Sequence, residues 1–285
     1  MIEKSNDMTP QTAAQALLWL AEMGADEAIG ENPVDRTAAV LPRGAEAVRP
    51  ALPFAENRAP TAMVASVPVP KLSPTGSDAP SLAASCESLE DLARALTGFD
   101  QCPLQRTASN LCFSDGNPRA SVMLVGEAPG RDEDIEGKPF LGRSGQLLDR
   151  MLAAIGLSRK ADDPDKSVFI TNTIFWRPPG NRDPTETETL MCLPFLRRAI
   201  ELQKPRLLVC VGKISAHRLL NTNDGILKLR GKWRSYDTGA EIVPLLATLH
   251  PAYLLRQPAQ KRLAWRDLLQ LRLRLDQLSA KSSVG

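Results

Sequence analysis

The sequence contains no apolar run approaching the roughly 20 residues that a helix needs to cross a bilayer. Residues 1–7 lack a basic start followed by an apolar stretch, so we expect no secretion signal. The five cysteines are odd in number and not closely paired, which argues against a disulfide framework and fits a reducing compartment. We therefore expect a cytoplasmic protein that does not bind membranes.

A chain of 285 residues with 43% hydrophobic content can bury one sizeable core and still leave residues outside it. The net charge of +2 conceals an asymmetry. Residues 1–85 hold six Lys and Arg against ten Asp and Glu, whereas residues 86–285 hold 29 basic and 23 acidic groups. The moderately basic second part is compatible with a nucleic-acid partner without requiring one.

The composition divides the chain into three segments. Residues 1–29 are predicted as a short N-terminal helix or tail, whose amphipathic stretch at 13–23 could bind a protein partner or simply fray. Residues 30–85 are rich in Ala, Pro and small polar residues, which favours a disordered linker. Residues 86–285 are predicted as one folded domain, which begins where the sequence Ser-Leu-Glu-Asp from Ser88 resembles a capping box.

Alternating strand and helix patterns predict the fold class of this domain. Apolar runs bounded by Gly, Pro or Asn predict strands at 121–125, 168–171, 206–211 and 242–249. Helices are predicted between and after them, at 145–155, 185–202, 213–220 and 259–278. This order predicts an α/β fold with three α/β/α layers and a mostly parallel central sheet of about four strands.

Two of these strands end in residues that suggest chemistry. The strand ending at Val125 leads into Gly126-Glu127-Ala128-Pro129-Gly130, a glycine-rich turn that delivers one carboxylate, and Gly137-Lys-Pro-Phe140-Leu-Gly142 follows. The strand at 242–249 ends in His250-Pro-Ala-Tyr253. Ligands of open α/β sheets bind at the carboxyl ends of the strands. A carboxylate, an aromatic ring and a histidine at such ends indicate a catalytic site.

These motifs, with Thr171-Asn172 and Arg177-Pro-Pro-Gly-Asn-Arg182 between them, resemble the uracil-DNA glycosylase superfamily, and within it the family 4 type. The resemblance runs from about Cys102 to Leu269 with four motifs in the family's order. It implies that residues 86–285 form a catalytic domain that flips deoxyuridine out of DNA and hydrolyses its N-glycosidic bond. Uracil would be released and an abasic site left for base excision repair, by a monomer that associates with the nucleoid during repair.

The resemblance implies roles for three polar side chains, and each has a purely structural alternative. His250 would donate to uracil O2 as negative charge develops there, or it could cap a strand end. Glu127 would orient water or stabilise the sugar cation, or it could accept backbone N–H bonds within its turn. Asn172 would pair with uracil N3–H and O4, which the reversed edge of cytosine cannot match, or it could merely terminate a strand.

Further residues complete the predicted substrate pocket. Phe140 would stack on the flipped base, with an ordinary core phenylalanine as the alternative. Gly126 belongs to the same pocket, and Ala128 would contribute its backbone N–H. The run from Asp132 to Asp134 is predicted to form a solvated acidic face, with Asp134 the residue most worth testing.

A set of basic, aromatic and apolar residues on or near the motif loops is predicted to contact DNA. Its members are Arg143, Arg177, Arg182, Lys213, Tyr253, Leu254 and Arg256. The loop from Tyr253 to Arg256 could wedge into the duplex, or its leucines could simply seat the loop. Each basic residue could equally be a solvated surface charge.

Family 4 proteins typically carry a [4Fe-4S] cluster on four cysteines. Cys102 and Cys192 stand at two of those positions, but Phe99 and Trp176 stand at the other two and cannot supply thiolates. The other cysteines do not fit as replacements: Cys86, Cys112 and Cys210. We therefore expect no cofactor, with the two aromatic side chains filling the cluster's place.

Two other functions remain open. The protein could be a non-catalytic DNA-binding relative whose N-terminal tail recruits a repair partner, or a glycosylase for another deaminated base such as hypoxanthine. The joint presence of the acid, the ring, the amide and the histidine favours an active enzyme, because a scaffold would not need all four.

Overall fold

The structure is a computed structural model that describes residues 78–282. The predicted N-terminal helix and most of the predicted linker lie outside the described residues. The linker boundary at residue 85 is placed too late, because Ala79–Ala84 forms a helix, α1. The Asp78 carboxylate accepts the Ser81 N–H at 3.1 Å, and the buried alanines of the helix let it pack closely on the helix Glu186–Gln203.

A six-stranded sheet forms the centre of the described structure. In chain order its strands are β1 (Ser114–Gly116), β2 (Val122–Gly126), β3 (Val168–Asn172), β4 (Leu207–Val211), β5 (Trp233–Asp237) and β6 (Ile242–Thr248). They lie in the order β1-β3-β2-β4-β6-β5, and the four inner strands are parallel. This confirms the predicted α/β fold with its mostly parallel core.

Two antiparallel edge strands add to the four that the sequence predicts. β1 pairs with β3, and β5 pairs with β6. β1 reads Ser-Asp-Gly, and β5 buries only Tyr236 of its five residues. Edge strands are partly solvated and need no continuous apolar run, so their polar sequences give little strand signal. The inner strands β2, β3 and β4 are buried at every position and are correspondingly easy to predict.

Helices cover both faces of the sheet. After α1 they are α2 (Leu89–Thr97), α3 (Arg131–Glu136), α4 (Arg143–Ala153), α5 (Glu186–Gln203), α6 (Lys213–Leu220), α7 (Ile226–Leu229), α8 (Pro251–Arg256) and α9 (Lys261–Ser282). Successive residues of β2 point to opposite faces. Met123 joins a core cluster with α1, α2 and α5, whereas Leu124 joins one with α4 and α9. The domain therefore has the predicted three layers. None of the helices in residues 78–282 has the length and apolar content to cross a membrane.

Side-chain caps fix where two of these helices begin. The Ser88 hydroxyl accepts the Asp91 N–H at 3.0 Å at the start of α2. At the start of α5, Thr185 and Glu188 form a reciprocal capping box, with bonds of 2.7 and 3.2 Å. Hydrogen bonds from Arg182 and Thr185 lower the pKa of Glu188 to about 2. The first of these starts agrees with the capping motif predicted from Ser88, and the second with the predicted start of a helix at residue 185.

The register of the parallel strands aligns their carboxyl ends. Gly126 at the end of β2 is opposite Asn172 at the end of β3. In the other half of the sheet, Val211 at the end of β4 is opposite Thr248 at the end of β6. The loops that leave these four strands therefore start from one edge of the sheet, which is where the sequence motifs lie.

We expect Phe195→Ala to lower the free energy of unfolding by about 3–5 kcal/mol, as is typical for a large side chain removed from a core. Phe195 is fully buried on α5 and packs edge-on against Phe99, with ring centroids 4.9 Å apart. Leu190→Ala on the same helix is the control, since Leu190 is 53% exposed and its loss should change stability by less than about 0.5 kcal/mol. Chemical denaturation measures both, and equal losses would contradict the assignment of this core.

Candidate active site

A cleft of about 690 Å³ lies at the carboxyl ends of the inner strands. Loops that follow β2, β3, β4 and β6 all contribute to its wall. The residues predicted from sequence that line it are Glu127, Ala128, Phe140, Asn172, Arg182, Lys213, His250, Tyr253 and Arg256. Motifs separated by more than 100 residues in the chain thus meet in one cleft.

His250 is held in one tautomer by the helix that follows it. It is the N-cap of α8, and its Nδ1 accepts the Ala252 N–H at 3.1 Å. An accepting nitrogen carries no proton, so the neutral ring has its proton on Nε2. Burial, reinforced by the positive charge of Arg256, lowers the pKa of His250 to about 4. The capping role and a donor role are therefore compatible: one nitrogen caps the helix and the other is an N–H donor.

Glu127 presents a carboxylate to the cleft. Its backbone carbonyl accepts the Ile174 N–H at 2.9 Å, which ties the turn after β2 to the loop after β3. Its side chain is half-buried and makes no hydrogen bond to another described residue, so the alternative of a carboxylate bonded to its own turn does not describe this site. Burial, and secondarily the negative charge of Asp183, raise the pKa of Glu127. The carboxylate oxygens remain available to a ligand or a water molecule.

Asn172 carries an unused acceptor into the cleft. The residue is 1% exposed, and its Oδ1 has no hydrogen-bond partner in the described part of the chain. Buried polar atoms are normally paired, so this oxygen is suited to an N–H donor from a ligand. A Cβ on Gly126 would lie 2.3 Å from Asn172 Oδ1 and 2.4 Å from the Phe140 ring. Glycine at position 126 is therefore what allows the amide and the ring to approach each other.

Phe140 forms one wall of the cleft and also contacts the core. Its ring centroid is 5.5 Å from that of His250, with the planes inclined at 31°. The side chain is 4% exposed and belongs to the core cluster on the α4 side of the sheet. Its backbone has φ of 56°, in the left-handed region that non-glycine residues seldom adopt. Phe140 therefore packs in the core and also lines the cleft, and its backbone adopts an unfavourable conformation to do both.

The prediction of a solvated acidic face is wrong for two of its three residues. Glu133 and Asp134 are 7% and 4% exposed, and only Asp132 points to solvent. Glu133 accepts the N–H groups of Leu141 and Gly142 at 2.9 and 3.0 Å. Asp134 accepts a backbone N–H from the loop before β1 at 2.8 Å. These carboxylates are buried because they bond backbone donors that no secondary structure satisfies.

Basic and aromatic side chains surround the mouth of the cleft. Lys213 begins α6, and Tyr253 and Arg256 lie on α8. Arg182 also lines the mouth, but it forms a forked pair with Glu188 at 2.6 and 2.9 Å. Its charge is therefore partly neutralised before any ligand arrives.

Three residues of the predicted DNA-binding set lie outside the lining. Arg143 is exposed at the start of α4, and Arg177 donates to Asn181 Oδ1 at 2.7 Å. Leu254 is fully buried and packs with Leu249 and Ala264, so its assignment as a DNA contact is wrong. An apolar side chain one turn into a short helix is drawn inward when the helix packs on the core, and the sequence does not distinguish this from a wedge.

The model of the Uracil DNA glycosylase superfamily matches residues 113–269, which include every strand of the sheet and the whole cleft. The chain belongs to the uracil-DNA glycosylase superfamily. It is 40% identical over 176 residues to a type-4 uracil-DNA glycosylase of Archaeoglobus fulgidus, covering 60% of this chain and 85% of that protein. It is 38% identical over 184 residues to a type-4 uracil-DNA glycosylase of Pyrobaculum aerophilum, and the match covers 63% of this chain and 91% of that protein. The chain is also 35% identical over 114 residues to a type-5 uracil-DNA glycosylase of the same organism, and this match covers 37% of this chain and 50% of that protein.

The residues of this uracil-DNA glycosylase superfamily member do not fit a four-thiolate cluster. Cys102 and Cys192 are buried together, and contact with Cys102 together with burial raises the pKa of the Cys192 thiol. Phe99 packs on Phe195, and Trp176 packs at 85° against Phe175. Within residues 78–280 no three His, Cys, Asp or Glu side chains come together as a metal site. Two thiols and two buried rings are not a ligand set for iron.

Gly212 is a site residue that the sequence analysis missed. It follows β4 with φ of 108°, and a Cβ there would lie 3.1 Å from the Cβ of His250. The small residue lets the loop after β4 pack against the loop after β6, and both loops line the cleft. A glycine between an apolar strand and a helix was the available signal, since the same pattern marks the turn after β2.

We expect the stability difference between the wild type and His250→Asn to depend on pH. The folded state favours neutral His250, with a pKa near 4 against 6.5 in the unfolded chain, so the folded protein binds fewer protons between these values. The wild type should lose up to about 3 kcal/mol through this residue as the pH falls from 6.5 to 4. Asn keeps the N-cap acceptor but does not titrate. Parallel stability curves for the two proteins, from denaturation at several pH values, would contradict the burial of a neutral ring.

We expect the purified protein to contain far less than the four iron atoms per chain of a [4Fe-4S] cluster, and a Cys102→Ala, Cys192→Ala variant to remain folded. Both thiols are buried side chains in the apolar core, so their removal leaves only a small packing defect. Elemental analysis and thermal unfolding of protein made in iron-rich medium test this. Four iron atoms in the wild type, released by the double substitution, would show that a cluster forms.

Proposed function

We propose that this protein removes uracil from DNA by hydrolysing the N-glycosidic bond, which leaves an abasic site for repair. The observation that carries the proposal is the buried Asn172 amide, whose Oδ1 no described residue bonds, beside the Phe140 ring and His250 in one cleft. The proposal is supported by the names of the relatives, which are type-4 uracil-DNA glycosylases. The products would be free uracil and a DNA strand with an intact backbone.

Base selection rests on the Asn172 amide. Its Oδ1 would accept uracil N3–H, and its Nδ2 would donate to uracil O4. Cytosine presents an acceptor at N3 and a donor at N4, so both groups of a buried amide would meet a like group. Sites of this type reject the wrong base strongly, because polar groups stay buried without partners. The Phe140 ring would stack on the face of the same base.

Bond cleavage leaves the electron pair of the C–N bond on the base and a positive charge on the sugar. The Nε2–H of neutral His250 would donate to uracil O2 and stabilise the departing anion. A donor fixed before the reaction needs no reorganisation, which makes such groups effective. The Glu127 carboxylate would stabilise the sugar cation and hold the water whose oxygen bonds to the sugar carbon. The carboxylate accepts the water's second proton and passes it to solvent, and the released uracil anion takes up a proton from solvent.

The target nucleotide must leave the duplex to enter the cleft, at a cost of a few kcal/mol. Lys213 and Arg256 lie at the mouth, where they would bind phosphates on either side of the flipped nucleotide. Tyr253 lines the same mouth and is a candidate to contact the neighbouring base step, as is Leu255, which is exposed on the same helix. Arg182 would contribute less, since it is engaged by Glu188. Arg143 and Arg177 would act only on DNA that extends beyond the cleft.

Every group used in this scheme is a protein side chain or water, so the reaction as proposed needs no external cofactor. The monomeric state, the cytoplasmic location and a protein partner for residues 1–29 remain predictions.

The test is single-turnover excision from an oligonucleotide with one uracil, beside matched cytosine and hypoxanthine substrates. We expect cleavage at uracil only, and a loss of about 10²–10³-fold in His250→Asn, the range typical for removal of one transition-state donor. Asn172→Ala should lose uracil excision without loss of folding. His217→Asn is the control, because His217 lies on α6 outside the cleft and its ring bonds the Asp224 carbonyl in the loop that follows.

A folded wild type that binds DNA but excises nothing would favour a non-catalytic relative. Excision of hypoxanthine at a rate similar to that of uracil would broaden the substrate class. Full activity in His250→Asn would remove the donor role proposed for the imidazole.

A further inference from the structure

The loop that carries Phe140 is held under strain. Phe140 has a left-handed backbone, and a Cβ on Gly145 would lie 1.9 Å from the Phe140 carbonyl oxygen. Glycine at position 145 is therefore what allows the start of α4 to approach this carbonyl. A residue in an unfavourable conformation persists only where its surroundings hold it. The groups that hold this loop therefore decide where the ring stands in the cleft.

Arg159 holds the loop from the side of the core. Its side chain is 6% exposed, and it donates to the carbonyl oxygens of Pro139 and Phe140, each at 2.9 Å. The guanidinium is itself fixed by two carboxylates: it donates to Asp149 on α4 at 2.9 Å and to Asp115 on β1 at 3.0 Å. One planar group thus joins the loop to a helix and to the edge strand.

Glu133 holds the same loop from the opposite side. Its Oε1 accepts the N–H groups of Leu141 and Gly142. The peptide between Phe140 and Leu141 therefore has its carbonyl on a guanidinium and its N–H on a carboxylate. Charge-assisted hydrogen bonds of this kind are stronger than neutral ones, and here they fix the orientation of one peptide plane from both ends.

We propose that Arg159 is a positioning residue, which fixes the Phe140–Leu141 peptide and thereby holds the Phe140 ring where the base stacks. This rests on the proposed function of the cleft, and it assigns a role to a residue that does not line the cleft. Arginine is required because four acceptors on three elements surround one planar fork. A lysine supplies one ammonium and cannot span them. Small displacements of a positioned group can cost about 100-fold in rate.

The experiment compares Arg159→Lys with the wild type in single-turnover excision, DNA affinity and inhibition by free uracil. We expect excision to slow by about 10–100-fold and free uracil to inhibit more weakly by a similar factor. DNA affinity should change by less than about 3-fold, since Arg159 is remote from the phosphate contacts. Arg198→Lys is the matched control: this guanidinium also clamps a backbone carbonyl, that of Cys86, at 2.8 and 3.0 Å, far from the cleft.

A double-mutant cycle with Phe140→Leu separates positioning from general stabilisation. If Arg159 acts through the ring, Arg159→Lys should change the rate by less than about 3-fold in the Phe140→Leu background. Fully additive rate losses would overturn the proposal, and so would an unchanged rate in a folded Arg159→Lys protein. The same loss in Arg198→Lys would overturn it as well, because the effect would then be one of stability.

Should Arg159→Lys fail to fold, Asp149→Ala replaces it. Asp149 is half exposed, and its loss removes one anchor of the guanidinium while leaving both loop carbonyls bonded. A rate loss of at least about 3-fold that vanishes in the Phe140→Leu background would support the proposal. An unchanged rate would overturn it.

Hydrogen exchange in the full chain distinguishes failure of this proposal from failure of the proposed function. The amides of Leu141 and Gly142 should exchange faster in Arg159→Lys than in the wild type, whether or not uracil is the substrate. Unchanged exchange overturns the positioning role, even in an active enzyme. Faster exchange in a protein whose wild type excises no uracil would support the role in fixing the loop and reject the proposed activity.

Discussion

The parallel pairing of β2 with β3 is the constraint on which the cleft depends. It sets Gly126 opposite Asn172, and only a residue without a side chain at 126 leaves room for the amide oxygen and the Phe140 ring. A shift of register by one residue would turn the Asn172 side chain to the other face of the sheet. The parallel pairings of β2 with β4 and of β4 with β6 bring the loops after β4 and β6 to the same edge, so that His250 reaches the cleft from a strand that is distant in sequence. The catalytic groups thus meet because the register of the sheet places the carboxyl ends of four strands side by side.

The charged groups around this edge divide into those that build the cleft and those left free for a ligand. Glu133 and Arg159 are buried, and both bond backbone groups of the loop that carries Phe140. Glu127 and the Oδ1 of Asn172 have no such partners among the described residues. His250 belongs to both classes, because one nitrogen caps a helix and the other keeps its proton. The buried groups that have hydrogen-bond partners make the site rigid. A rigid site holds the groups without partners in a fixed orientation toward a ligand.

The region where related proteins place an iron-sulfur cluster has a different stabilising chemistry here. Phe99 and Trp176, which stand at two of the family's cysteine positions, pack in an aromatic core with Phe195 and Phe175. This core joins α1, α2 and α5 to the sheet, on the face opposite α4 and α9. Burial of this kind does not depend on iron or on the redox state of the thiols.

The parallel core, the family and the residues at the strand ends could all be predicted from the amino-acid sequence, because buried strands and glycine turns leave local patterns. Asn172 and His250 were identifiable in this way, as was the absence of thiols at two family positions. Only the folded structure shows which of these side chains are buried and which have hydrogen-bond partners. The buried Glu133, the buried Leu254 and the role of Arg159 depend on partners from other elements, and a local pattern does not contain them. Burial is a property of the packed chain, so composition and spacing could not separate a solvated acid from one that holds a loop in place.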